Sequence, residues 1–113
     1  MTDEHVAAMI RSAIGGDTTA MAWVVAQADL IEDPQLIAMA ALLERRTDRL
    51  DRAAALATTS RERQVVDIAR ARLHGQGELV DAFVRDHLVE YPDSLIVAWI
   101  ASGAVERPPG TGA

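Results

Sequence analysis

The 113-residue chain contains no cysteine and no lysine, and only four of its residues are aromatic. Without cysteine there is no disulfide, no thiolate metal site and no cysteine nucleophile, and the composition fits a reducing compartment. The scarcity of aromatics removes the stacking platforms on which single-stranded nucleic acids are held. All eleven basic residues are arginine, a bias that reads as GC-rich coding more than as mechanism. Long apolar runs are also missing. The strongest, Leu95 to Ala101, is far shorter than the ~20 residues a membrane span needs. The opening Met1-Thr2-Asp3-Glu4-His5 has neither the basic start nor the apolar stretch of a secretory signal. The expectation is a soluble, cytoplasmic, single helical-repeat domain over residues 1–106, with a disordered Pro/Gly tail at 107–113.

What the chain does have is alanine and valine, in a composition that is 50% hydrophobic. Small apolar side chains let helix axes approach closely. Charge is unevenly spread. Residues 1–44 carry Arg11 against seven acids, a net of −6; residues 45–72 carry eight arginines against four acids, a net of +4; residues 73–113 carry two against six, a net of −4. A basic centre lies between acidic ends.

Helix punctuation is clear. Val6, Met9, Ile10, Ala13 and Ile14 follow helical spacing, and Gly15-Gly16-Asp17 ends that helix. A second helix starts near Thr18, and Asp33-Pro34 opens a third as N-cap plus first-turn proline, which frays through Arg45 to Asp48. A short fourth helix runs through Leu50, Ala53, Ala54 and Ala57. Thr59 and Glu62 have capping-box spacing ahead of a fifth, which carries Val65, Val66, Ile68, Ala69 and Leu73. A sixth uses Val80, Phe83, Val84 and Leu88 and stops at Pro92, and a seventh runs from Ser94 to about Val105. No alternating β pattern of useful length occurs. Sliding the chain by 59 residues places Val6 on Val65, Ile10 on Ala69, Ile14 on Leu73, Gly16 on Gly75 and Ile37 on Ile96. Turns and core positions agree without a gap, which predicts an internal repeat.

Within 60–94, Arg61-Glu62-Arg63, Val65-Val66, Ala69 and Ala71 precede the Gly75/Gly77 turn. Val80, Val84, Leu88 and a closing Pro92 follow it. This pattern resembles a tetratricopeptide-like helical hairpin, and 33–94 looks most like the divergent family of that kind numbered thirty-eight. The resemblance implies an all-α fold of six to seven short antiparallel helices in a hairpin stack. It also implies a scaffold that holds a peptide or protein partner.

No catalytic constellation is visible. His5, His74 and His87 are scattered, without the paired spacing of a metal motif. His87 and Glu90 share a helical face, but His87 borders the apolar stripe and reads as a hydrogen-bonded histidine at the core edge. Asp29, Glu32 and Asp33 sit at a helix end, where acids cap. Gly75-Gln76-Gly77 is too short to cradle a phosphate. The expectation is a non-enzyme with no cofactor and no metal.

Two features point to binding. Arg45, Arg46, Arg49, Arg52, Arg61, Arg63, Arg70 and Arg72 form a band. Their guanidinium groups would take a carboxylate, phosphate or acidic peptide, or else form a solvated face laced with Asp48, Asp51, Glu62 and Asp67. The second is the last helix, apolar on every side, which must be surrounded. Either it folds into the centre of the domain, or a second copy covers Leu95, Ile96, Trp99 and Ile100 in a two-fold dimer. The resulting expectation is an interaction module, homodimeric through that helix. A small-anion or nucleic-acid binder using the arginine band is the alternative.

Overall fold

A computed structural model describes residues 3–106; the tail at 107–113 lies outside the described residues. The chain is all-α, and no strand occurs among the described residues. The helices are α1 (Asp3–Ile14), α2 (Thr18–Gln27), α3 (Pro34–Glu44), α4 (Asp48–Leu56), α5 (Ser60–Leu73), α6 (Gly77–Glu90) and α7 (Leu95–Ala101). A single 3₁₀ turn (Ala104–Glu106) follows them. Among the described residues no helix is long and apolar enough to cross a membrane.

Local chemistry fixes the helix starts. The Asp17 carboxylate accepts from the N–H groups of Thr19 and Ala20, and Asp33 accepts from Gln35 and Leu36. Both satisfy N-terminal donors that would otherwise lack partners. Thr59 and Glu62 form the reciprocal capping box, with Glu62 N–H donating to Thr59 Oγ1 and Thr59 N–H to Glu62 Oε1, each at 3.1 Å.

The repeat appears in the turns at bond level. Gly16 N–H donates to Ala13 O and Asp17 N–H to Ser12 O; 59 residues later Gly75 donates to Arg72 O and Gln76 to Ala71 O. Gly16 has φ 99° and Gly75 φ 69°, the left-handed conformation that closes a helix and favours glycine. At the 59-residue offset helices α1, α2 and α3 fall on α5, α6 and α7, and α4 lies between the two sets.

α3 is the centre of the fold. Pro34 and every residue from Leu36 to Leu42 are buried, and the helix packs against α2, α4 and α5. Ala38, Ala40 and Ala41, all at 0% exposure, let those neighbours approach on all sides. α3 ends in a defined cap where the sequence suggested fraying. Arg45 takes φ 55°, and Arg46 N–H bonds Ala41 O at 2.9 Å.

α7 is shorter than expected, closing at Ala101 with Ser102 Oγ donating to Trp99 O at 2.7 Å. It packs on α1, α5 and α6 of its own chain. Contact between α1 and α7 brings the first and last helices together, so the stack closes on itself.

A side chain at a left-handed position costs about 1 kcal/mol relative to glycine. Arg45→Gly is therefore expected to raise the unfolding free energy by about 0.5–1 kcal/mol in urea titration. An unchanged or lower value would mean that contacts of the Arg45 side chain outweigh its backbone strain.

Candidate functional site

The arginine band is largely consumed within the chain. Arg49 is buried, pairing through Nε with Glu44 at 2.6 Å and through Nη1 with Asp29 at 3.0 Å. Arg52 Nη1 donates to the carbonyl of Ala28 at the end of α2, so two arginines of α4 fasten the α2–α3 connection. Arg70 reaches Asp51 at 3.4 Å, tying α5 to α4. Arg61 meets Asp93 at 3.3 Å and lies 5.1 Å from the centroid of the Tyr91 ring. Arg46 pairs with Asp48 at 2.6 Å; that contact raises the basicity of the one and lowers the pKa of the other. Asp48 and Asp51 serve as lacing partners as the sequence suggested, whereas Glu62 is a helix cap. Asp29, Glu44 and Asp93 were not identifiable as partners, because pairing across turns and helices leaves no mark in local spacing.

Of the remaining arginines, Arg45 and Arg63 are exposed. Arg45 and Arg72 border one depression with Leu42, Leu73 and Val105, of about 10 Å³. That is room for a single water, too little for a phosphate.

The proposed dimer residues also need correction. Ile96 is 2%, Trp99 5% and Ile100 0% exposed within the single chain, and only Leu95 of the four stands out, at 49%. Ala98 and Ala101 complete its outward strip. The cover that this apolar helix requires comes from the chain's own helices, which realises the first of the two alternatives drawn from its composition.

A surface feature that sequence reasoning did not single out is the seam between α5 and α6. Gln64, Asp67, Ile68 and Ala71 make a helical stripe on α5, and Leu79, Phe83, Asp86 and Glu90 make one on α6. Two adjoining hollows lie between them. One, of about 270 Å³, is bordered by Gln64, Asp67, Ile68, Phe83, Asp86 and Glu90. The other, of about 200 Å³, shares Asp67 and Phe83 and extends to Leu79, Ala71, Arg70 and His74. A wider hollow of about 600 Å³ opens beside Val6, Leu30, Ile31 and Pro34; of its three carboxylates, Asp33 and Glu62 are engaged in caps. The α5–α6 seam joins an apolar floor to three rim carboxylates, Asp67, Asp86 and Glu90, that have neither a cap nor an ion pair among the described residues.

His87 supports this seam from beneath. It is 1% exposed, and its Nδ1 lies 2.8 Å from Gln64 Oε1, an arrangement satisfied by a neutral imidazole donating from Nδ1. Burial, and behind it the positive charge of Arg61, push its pKa below the usual histidine range; Glu90 and Asp93 act the other way. The expected core-edge histidine is present, with Gln64 as the partner that orients it. Among the described residues no group of three His, Asp or Glu side chains is placed to hold a metal ion. No family model, curated protein or solved structure matches the chain.

Removing the buried half of an ion pair leaves its carboxylate partner uncompensated. Arg49→Met is expected to lower stability by about 2–3 kcal/mol, whereas Arg46→Gln, at an exposed pair, leaves the melting temperature nearly unchanged. Comparable effects of both would contradict the clamp role of Arg49.

Stability should also depend on pH through His87. Its folded-state pKa is depressed, so the unfolded chain binds the proton more tightly, and stability present above about pH 6.5 is lost as pH falls through the lower folded value. His87→Gln is expected to flatten the unfolding free energy between about pH 7.5 and 5.5; a slope surviving the substitution would place its origin elsewhere. Glu62, whose pKa is lowered chiefly by the Thr58 backbone N–H, adds a separate loss below its unfolded value near 4.5.

Proposed function

We propose that the chain is a non-enzymatic protein-interaction module whose docking face is the α5–α6 groove. The observation that carries this reading is a half-open apolar stripe on two fixed helices, rimmed by carboxylates that have no ion pair among the described residues. The repeat sharpens it. Leu79 and Phe83 correspond to Ala20 and Val24 of the first hairpin, which are 1% and 0% exposed. At the same two positions the second hairpin carries larger apolar side chains, and Leu79 is 39% exposed. Apolar area left open on a rigid surface favours a partner that covers it.

The resemblance of 60–94 to tetratricopeptide-like hairpins belongs to the same proposal. It is supported by two helices of 14 residues each, joined by a short glycine turn. So does a cytoplasmic setting, supported by the cysteine-free composition. Anion binding at the arginine band is the weaker reading, because Arg46, Arg49, Arg61 and Arg70 already hold carboxylates of this chain. Homodimerisation through α7 loses its support with Ile96, Trp99 and Ile100 buried inside the monomer.

The test is a photo-crosslinking side chain placed at Leu79 and, separately, at Arg63, in the full chain in its native host. A discrete protein adduct from position 79 and none from position 63 is the expected result. An adduct from position 63 alone would move the docking face to the arginine side. No protein adduct from either position would remove the module reading.

A further inference from the structure

We infer that the partner presents a cationic amphipathic helix to the α5–α6 groove, an assignment that rests on the docking-face reading above. It begins with how the carboxylates are used. Asp17, Asp33 and Glu62 cap helices, and Asp29, Glu44, Asp48, Asp51 and Asp93 hold arginines. Asp67, Asp86 and Glu90 have no ion pair among the described residues, and all three border the 270 Å³ hollow. Like charges gathered on two adjacent helices repel one another, and an incoming cation relieves that repulsion.

The apolar part sets the shape of the partner. Ile68 is 1% exposed and floors the first hollow beside the half-buried Phe83. Leu79 stands at the mouth of the second. The two hollows lie side by side along a seam between helices of 14 residues, each about 20 Å long. A helix of similar length laid along the seam would seat large apolar side chains, spaced three or four residues apart, in the successive hollows. Its flanking lysines or arginines would then meet Asp67, Asp86 and Glu90.

A second copy of this chain does not meet that description. The formal net charge is −6, so copies repel. Two of its largest exposed apolar side chains, Leu79 and Val89, lie on the acidic helix itself. Nucleic acid and anionic membrane are disfavoured by the same sign of charge.

Fluorescence anisotropy and amide chemical shifts, measured on the full chain, test the assignment with three 14-residue probes. The first is an amphipathic leucine–lysine helix, the second its leucine–glutamate counterpart, and the third a lysine–glutamine peptide of equal charge without apolar residues. The leucine–lysine helix is expected to bind saturably and to shift amides of Gln64, Asp67, Ile68, Phe83, Asp86 and Glu90. Asp67→Asn/Asp86→Asn/Glu90→Gln should weaken it by roughly tenfold or more, while Glu4→Gln/Glu32→Gln/Asp81→Asn, equal in charge removed, changes it by less than about twofold. Both sets are near-isosteric, and their melts verify that the fold is retained.

Equal losses from the two triple variants would reduce the effect to bulk charge and overturn the assignment. So would equal binding of the apolar-free peptide, preference for the leucine–glutamate helix, or no saturable binding of the leucine–lysine helix. If these titrations fail while the position-79 crosslink persists, the groove still docks a protein and only the cationic partner is refuted.

Discussion

The arrangement depends on a helix that cannot be left on a surface. From Leu36 to Leu42 α3 offers water no side chain, and nothing polar interrupts the run, so neighbours must cover its whole circumference. Helices α2, α4 and α5 do so. The alanines of α3 decide how near they come, since each small side chain brings a neighbouring backbone closer and shortens the reach for groups at the edges. α4 is held at the ends of α2 and α3 by this packing, and the lacing of its arginines follows. Arg49 spans Glu44 and Asp29 because the turns on which they sit are drawn together around α3.

That packing also explains the loss of the basic face. Eight arginines in 28 residues look like a binding surface only while their partners are unknown. Once the helices are stacked, each guanidinium of Arg49, Arg52, Arg61 and Arg70 reaches a carbonyl or carboxylate of a different segment. The exposed pairs among them contribute little to stability; Arg49 differs because it is buried on one side. Removing it would leave Glu44, whose side chain is 26% exposed, with only the longer 4.0 Å contact of Arg46. The central charge of the sequence is thus mostly internal bookkeeping, and the acids left over, on α5 and α6, set the character of the accessible surface.

Local chemistry was legible from the chain. The Asp33 and Thr59 starts and the glycine turns are governed by residues a few positions apart, and the 59-residue correspondence by the agreement of those turns; Asp17, read only as the end of the first helix, also caps the second. What could not be read was which apolar helix is central. Pro34–Glu44 and Leu95–Ala101 are both apolar on every side by composition, yet only α3 is enclosed. α7 turns Leu95, Ala98 and Ala101 outward, a strip in which two of the three are alanines and little apolar area is lost to water. Periodicity does not reveal this, because small residues count as apolar in a pattern while costing little when exposed. The ion pairs were hidden for a different reason: Arg49–Asp29 joins residues 20 apart, and only the tertiary fold brings them together. The groove left one signal, the succession of Leu79, Phe83, Asp86 and Glu90 at helical spacing, which reads as an ordinary amphipathic face unless it is compared with its counterpart in the first repeat.

That comparison separates architecture from use. Two hairpins built on the same turn have the same backbone demands, so Gly16 and Gly75 need no explanation beyond the turn itself. Side chains on the outer stripes are under no such demand. Burial at Ala20 and Val24 is what packing alone requires of the first hairpin. At the equivalent positions Phe83 packs against the core as a half-buried ring, but the part of Leu79 that stands in water contributes nothing to folding. Ala28 corresponds to His87 in the same way. A buried methyl group in one hairpin becomes in the other a buried imidazole held 2.8 Å from Gln64, at the cost of desolvating a polar ring. Larger apolar side chains at the opening, a polar pair beneath it and, around it, carboxylates with no ion pair among the described residues all depart from the first hairpin on one seam. A partner that covers the apolar stripe and neutralises the rim would turn the exposed part of Leu79 and the rim carboxylates into favourable contacts, with the buried His87–Gln64 pair holding the two helices beneath them.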